Sequence, residues 1–277
     1  MLNRREAVAA LAAGAVAGGA SGAEPAFQFA ALDHLALAVN DTEKSVRFYT
    51  RLLGNNVMKE KTNPRHYVKA GPVYVAMAPP AGRGASGNSI NHFCPGIASF
   101  DLAATKRKLE QLGLKYSEAP GVGVFVPDPD GTLVQLWTQD SWSHLNETAA
   151  PAGIAAQGEP LLRPSAFDHI LINVSDLDRS VEFYEKVLGP VITPASRPRR
   201  TWFRAGTGTA GNRVGLALVD AGQKPGIDHY CFTAPFERAA LTKAVEALGA
   251  KMIQGDVAAG IDFLDVNGIH VQVIPPA

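Results

Sequence analysis

Short apolar runs bounded by turn residues alternate along the chain with stretches whose apolar residues recur three, four and seven apart, so strand and helix periodicities take turns. Leu32-Asp33-His34-Leu35-Ala36-Leu37-Ala38-Val39 is one such run, and Phe167-Asp168-His169-Ile170-Leu171-Ile172-Asn173-Val174 is its counterpart at an offset of 135. Behind the first run, Asp41, Ser45, Val46, Phe48, Tyr49, Leu53 and Gly54 are answered by Asp176, Ser180, Val181, Phe183, Tyr184, Leu188 and Gly189. An Asp able to accept from the first free backbone N–H groups, an apolar stripe and a closing Gly specify an amphipathic helix with both ends marked.

The remainder repeats the same plan. Strands are predicted over residues 56–61, 66–70 and 73–78, and again over 191–195, 201–205 and 214–219. Further strands follow at 90–97 and 227–233, then helices at 102–112 and 236–248, each ending at a glycine (Gly113, Gly249). Closing strands at 123–127 and 132–137 match 262–265 and 269–274, around the turns Asp128-Pro129-Asp130-Gly131 and Val266-Asn267-Gly268. One unit stamped twice fixes an architecture. The expectation is an α+β chain of two tandem domains, residues 30–140 and 166–277, each a pair of βαβββ units forming a cupped mixed sheet flanked by helices. Residues 141–165, rich in Ala, Gly and Pro, read as a linker whose Trp142 and Leu145 pack on the first domain, and residues 80–89 read as a loop.

Composition then narrows the partners. The formal net charge is zero, which removes the long-range attraction that nucleic acid or an anionic membrane would exert and favours a small-molecule substrate. Two cysteines, Cys94 and Cys231, exclude a disulfide-rich scaffold. Residues 1–23 are set aside as a signal peptide: Arg4-Arg5 precedes an apolar stretch too short to span a bilayer, and Ser21-Gly22-Ala23 offers a small-residue cleavage site. Asn3-Arg4-Arg5-Glu6-Ala7-Val8 looks like a twin-arginine export signal, so the expected location is periplasmic, with no membrane contact after signal removal and with room for a homodimer.

Paired βαβββ units, an Asp-His opening each copy, a His on the strand of the second unit and a closing Asp-Pro-Asp-Gly hairpin resemble the vicinal oxygen chelate superfamily of glyoxalases, bleomycin resistance proteins and extradiol dioxygenases. The resemblance covers about residues 30–140 and 165–276. It implies metal ligands at His34, His92 and Gln135 in the first domain and at His169, His229 and Gln272 in the second. Two neutral imidazoles and one oxygen donor would hold a divalent ion, Fe(II) first and Mn(II) or Zn(II) as alternatives, with positions open for substrate. The sequence departs from the family in placing Gln where metal-dependent members usually have Glu, which gives up a carboxylate's attraction for the ion. Four of the seven histidines occupy these positions, whereas His66 and His144 do not recur. A strand His is also commonly a packed, hydrogen-bonded core residue.

His270 lies two residues before Gln272 and so shares its strand face. With Tyr230 it is the candidate for acid-base work. Phe93 and Trp137 in one domain, and Tyr230 and Trp202 in the other, lie near the cavities, and alternation alone leaves open which face inward. Cys94 and Cys231 read as small buried hydrophobes. Arg197, Arg199, Arg200 and Arg204 read as a charged, solvated edge strand, with a clamp on a substrate carboxylate as the sharper alternative. The leading functional expectation is a metal-dependent, dioxygenase-like oxidoreductase acting on a small oxygen-chelating substrate such as an aromatic diol, with the second domain active. A glyoxalase-type isomerase or lyase is the alternative, opposed by the missing carboxylate base at the closing strand. A metal-free exported binding protein is the third reading.

Overall fold

A computed structural model describes residues 25–54, 56–59, 65–80, 87–139, 147–149, 158–196, 200–208 and 211–276. The leader, Trp142, Leu145, Arg197 and Arg199 lie outside these residues. Among the described residues no helix is long and apolar enough to cross a membrane.

The first domain runs β1 (Phe29–Ala38), α1 (Thr42–Leu53), β2 (Asn56–Lys59), β3 (His66–Ala70), β4 (Val73–Ala78), β5 (Ser89–Ile97), α2 (Leu102–Gln111), β6 (Ser117–Glu118), β7 (Val124–Pro127) and β8 (Leu133–Thr138). A ninth strand, β9 (Glu147–Ala149), comes from the stretch expected to be linker and pairs antiparallel with β2. The sheet order is β6-β7-β8-β5-β1-β4-β3-β2-β9. The second domain repeats it as β10 (Ala166–Val174), α3 (Leu177–Leu188), β11 (Thr193–Ser196), β12 (Arg200–Arg204), β13 (Arg213–Leu218), β14 (Gly226–Thr233), α4 (Arg238–Ala247), β15 (Lys251–Ile253), β16 (Ile261–Leu264) and β17 (His270–Ile274). Its eight strands are ordered β11-β12-β13-β10-β14-β17-β16-β15. The fold is therefore α+β with two tandem domains of paired βαβββ units.

The helix signals act as their chemistry dictates. Asp41 accepts from the Lys44 N–H at 2.9 Å, and Asp176 from the Arg179 N–H at 3.0 Å. Gly54 and Gly189 end α1 and α3 with φ of 122° and 92°, a region that disfavours any residue with a Cβ.

Two one-residue bulges recur in each sheet and decide where its chemistry sits. Along β1, Leu32 faces Pro95 and His34 faces Cys94, so Asp33 is the extra residue; on β5, Ile90 and His92 face consecutive residues of β1, so Asn91 is extra. Asp168 and Asp228 are the extra residues on β10 and β14. A bulge turns its extra side chain toward its neighbour's face. Each ligand-candidate His on these strands thus acquires an oxygen from the preceding residue.

The two domains meet through a pseudo-symmetric pair of polar contacts. Tyr49 on α1 donates to Asp265 in the β16–β17 turn at 2.7 Å, and Tyr184 on α3 donates to Asp128 in the β7–β8 turn at 3.1 Å. Each carboxylate also closes its own turn: Asp265 accepts from the Asn267 and Ile269 N–H groups, and Asp128 from those of Asp130 and Thr132. Around them a buried apolar core joins the domains, with Phe48 set edge-on to Phe263 at 6.4 Å between centroids. Leu162, beyond β9, is buried and its N–H bonds the Leu52 carbonyl at 2.8 Å, so this part of the connection docks on the end of α1.

Candidate metal centre

In the second domain the cup face of the sheet gathers His169 from β10, His229 from β14, and His270 and Gln272 from β17. The Nε2 atoms of His169 and His229 lie 3.1 Å apart. The Nδ1 of His169 is 2.6 Å from Asp168 Oδ1, and that of His229 is 2.6 Å from Asp228 Oδ2. A carboxylate only accepts, so each Nδ1 carries a proton and the two Nε2 atoms are left facing each other. Burial, reinforced by the neighbouring His229, holds the His169 imidazole below its ordinary pKa and keeps it neutral. Two such nitrogens call for a cation or a proton between them. The separation suits two nitrogens each ~2.1 Å from one ion, and Nδ1–H donation to a carboxylate is the usual way of orienting a metal-binding imidazole.

The oxygen donor is also in place. Gln272 is fully buried; its Nε2 donates to Asp262 Oδ1 at 3.0 Å and to Asp256 Oδ1 at 3.2 Å, which leaves Oε1 as a buried acceptor with no partner among the described residues. Burial works against charge on Asp168, but hydrogen bonds from His169 and the Arg213 guanidinium outweigh it and hold the carboxyl below its usual range. Asp228 is depressed likewise, against burial, by His229 and His270. Replacement of Asp228 by Asn is expected to lower divalent-metal affinity by about 10- to 100-fold, measured by competition with a chromogenic chelator; unchanged affinity would remove Asp228 from the centre.

His270 belongs to this cluster. Its ring lies 4.6 Å from that of His229, its Nε2 is 2.7 Å from Asp262 Oδ1, and its Nδ1 is 3.7 Å from Asp228 Oδ2. Burial favours the neutral ring, yet the two carboxylates prevail and raise its pKa to about 9. Tyr230 is placed elsewhere. Alternation along β14 turns it away from His229 and Cys231, and its hydroxyl lies 2.6 Å from that of Tyr49 in the interdomain core. It is a core residue rather than a neighbour of the histidines, and Phe93, its counterpart, is buried in the same core. Trp202 faces inward, with its ring edge-on to His169 at 5.2 Å and the Arg213 guanidinium 4.9 Å from its centroid. Gly215 makes this arrangement possible, because a Cβ there would stand 2.6 Å from the indole and 2.9 Å from Leu171. Gly215→Val is expected to cost about 1–3 kcal/mol and to shift tryptophan fluorescence; native stability and spectrum would refute this packing.

The first domain keeps the frame and loses the surroundings. His34 Nδ1 is 2.8 Å from Asp33, and its Nε2 is 3.0 Å from Gln135 Oε1, while Gln135 donates its Nε2 to the Val122 carbonyl at 2.7 Å. His92 lies near His34, with ring centroids 5.6 Å apart, and its Nδ1 is 2.9 Å from Asn91 Oδ1. Here Leu133, Phe125, Tyr74 and Asn91 take the register positions that His270, Asp262, Arg213 and Asp228 hold in the second domain. The cup itself is filled by buried Met58, Tyr67, Tyr74, Cys94 and Trp137. Here the His34 Nε2 faces the Gln135 carbonyl oxygen and not a second imidazole nitrogen. Beside the second cup, and reaching it at Leu171 and Asp228, is a cavity of about 400 Å³ lined also by Asn173, Arg200, Ala217 and Gln223.

Both thiols are free and buried, and burial, with adjacent carboxylates, raises their pKa far above the ordinary thiol value. They pack as hydrophobes rather than serving as thiolates. Arg200 corrects the edge-strand expectation: β12 is flanked by β11 and β13, and the guanidinium pairs with Asp256 at the cup cavity. Sequence reasoning missed Asp228, Asp256, Asp262 and Arg213. Only Asp228 carried a signal, since Asp228-His229 repeats the Asp168-His169 dipeptide.

The family model of the Glyoxalase/Bleomycin resistance protein/Dioxygenase superfamily matches residues 31–136 and 166–274. The chain belongs to this superfamily. It is 28% identical over 174 residues to a probable chloroplastic lactoylglutathione lyase of Arabidopsis thaliana, covering 56% of this chain and 43% of that protein, so it spans less than half of that relative. It is 30% identical over 111 residues to the glutathione transferase FosA of Serratia marcescens, covering 38% of this chain and 78% of the other. The 2,3-dioxygenase LapB of Pseudomonas sp. KL28 superposes with a TM-score of 0.64 at 15% identity over 91% of this chain and 93% of its own, a likeness of fold.

Proposed function

We propose that the protein is a metal-dependent oxidoreductase of dioxygenase type, with one divalent ion held in the second domain by His169, His229 and Gln272. The observation that carries the reading is the pair of Nε2 atoms 3.1 Å apart, each on a ring whose other nitrogen is committed to a carboxylate. The orphaned Oε1 of Gln272 is the second support. An ion such as Fe(II) would supply Lewis acidity and a place for adjacent substrate oxygens. The chain's own residues bind and orient around it. Asp168 and Asp228 fix the imidazole tautomers, Trp202 and Leu171 exclude water on one side, and His270 holds a proton between Asp228 and Asp262 beside the His229 ring. In the first domain the buried side chains of Met58, Tyr67, Tyr74, Cys94 and Trp137 cluster together where the second domain has its polar groups.

The glyoxalase-type reading gains from the relatives named above and from one structural point. Gln at the closing strand does not leave the cup without a base, because Asp228 and Asp262 stand next to His270. Anaerobic loading with Fe(II), then with Mn(II) or Zn(II), followed by oxygen-uptake assays on catechols and by hemithioacetal assays, separates the two. Substrate-dependent oxygen consumption supports the dioxygenase, isomerisation without oxygen supports the glyoxalase type, and a protein that retains no metal overturns both.

A further inference from the structure

A second cavity, about 530 Å³, lies between the domains. The first domain contributes Ser89, Asn91, Asp130 and Thr132, and the second contributes Asn173, Gln223, Lys224 and Asp228. Asn173, Gln223 and Asp228 also line the cup cavity, so the two spaces adjoin along one wall. That wall is built into the metal centre: Asn173 donates to Asp228 Oδ1 at 3.0 Å, and Asp228 Oδ2 takes the Nδ1 proton of His229.

The lining is a mixture of hydroxyls and carboxamides, groups that both donate and accept. Its charges do not favour an ion of either sign. Asp130 is already engaged by Ser175 and Arg179, Asp228 by the histidines, and Lys224 is exposed. Apolar groups are few, chiefly Ile90, Pro225 and Ile227, and none of the lining residues is aromatic. A neutral ligand with many hydroxyls satisfies such a surface, whereas an apolar tail would strand its polar groups.

We infer that the interdomain cavity is a subsite for the neutral, polyhydroxylated portion of a substrate whose oxygen-chelating end lies in the second-domain cup. The inference rests on the proposed function for the chelating end alone; the polyol subsite itself needs no metal. Its position explains why two domains are needed for one centre: residues of the first domain supply half of the wall. The substrate class is thus a small chelating head joined to a sugar-like or open-chain polyol body.

The test is titration of the full-length chain with sorbitol and glucose, alongside gluconate and glucosamine as charged counterparts, by saturation-transfer NMR and calorimetry. The neutral polyols are expected to bind at about millimolar affinity. Asn173→Leu and Gln223→Leu should each weaken them by about tenfold, Ser89→Trp should abolish binding by filling the space, and His169→Ala should leave it unchanged. Circular dichroism of each variant confirms folding. Absence of polyol binding, equal binding by the Ser89→Trp chain, or stronger binding of the anion or the cation overturns the inference. Loss of metal with polyol binding retained would strike the proposed function and spare the subsite.

Discussion

His229→Ala is expected to abolish turnover and to reduce metal retention by more than the roughly 100-fold that loss of an outer hydrogen-bond partner costs. The substitution removes one of two facing Nε2 donors and leaves Asp228, whose pKa is depressed by His229 and His270, with His270 as its remaining histidine. Because His229 is buried on the cup face and touches only cup residues there, folding should persist, with the thermal transition shifted by no more than a few degrees. The check is metal content after dialysis, read together with far-ultraviolet circular dichroism. His92→Ala at the matching position of the first domain should leave the metal content of the second domain intact. Equal losses from the two substitutions would contradict the asymmetry between the domains.

The second large effect falls on stability. Asp265→Ala deletes acceptors for the N–H groups of Asn267 and Ile269 and for the Tyr49 hydroxyl, and it leaves the buried Tyr49–Tyr230 hydroxyl pair with one donor unmatched. Several lost hydrogen bonds with a buried donor left over cost about 3 kcal/mol or more. Asp128→Ala removes the pseudo-symmetric set and takes from the buried Tyr184 hydroxyl its carboxylate acceptor, so its loss should be of similar size. Urea unfolding monitored by fluorescence measures both. A fall of under about 0.5 kcal/mol for Asp265→Ala would show that the turn and the interface do not depend on this carboxylate.

Much of this organisation was legible in the chain because it is written twice. The offset of 135 between Asp33-His34 and Asp168-His169, and the matching Asp caps and closing glycines, fixed helices and strands in pairs that alternation and helical spacing made readable. The candidate ligand positions His169, His229 and Gln272 come from the family resemblance, and the repeat only pairs them with His34, His92 and Gln135. Tyr230 was readable too: it follows His229 in an unbroken stretch of β14, where alternation alone turns it to the opposite face. Asp262 and Arg213 escaped notice because they reach the centre through cross-strand pairing with Gln272 and His169, contacts absent from local sequence. The cluster of Met58, Tyr67, Tyr74 and Trp137 in the first cup likewise needs four strands brought together before it exists. The strand β9 arose in an Ala- and Pro-rich connection because the free edge of β2 offers unpaired backbone groups to any extended segment beside it.

The central claim is that one ion binds per chain and that it binds between His169 and His229. Anaerobic calorimetric titration of the metal-stripped chain with Fe(II), and with Zn(II) as a redox-inert check, tests it most directly when repeated on His34→Ala and His169→Ala. The account predicts a single equivalent for the unmodified chain, the same single equivalent for His34→Ala, and none for His169→Ala. Two equivalents, or a single equivalent that disappears with His34→Ala and survives His169→Ala, would contradict it.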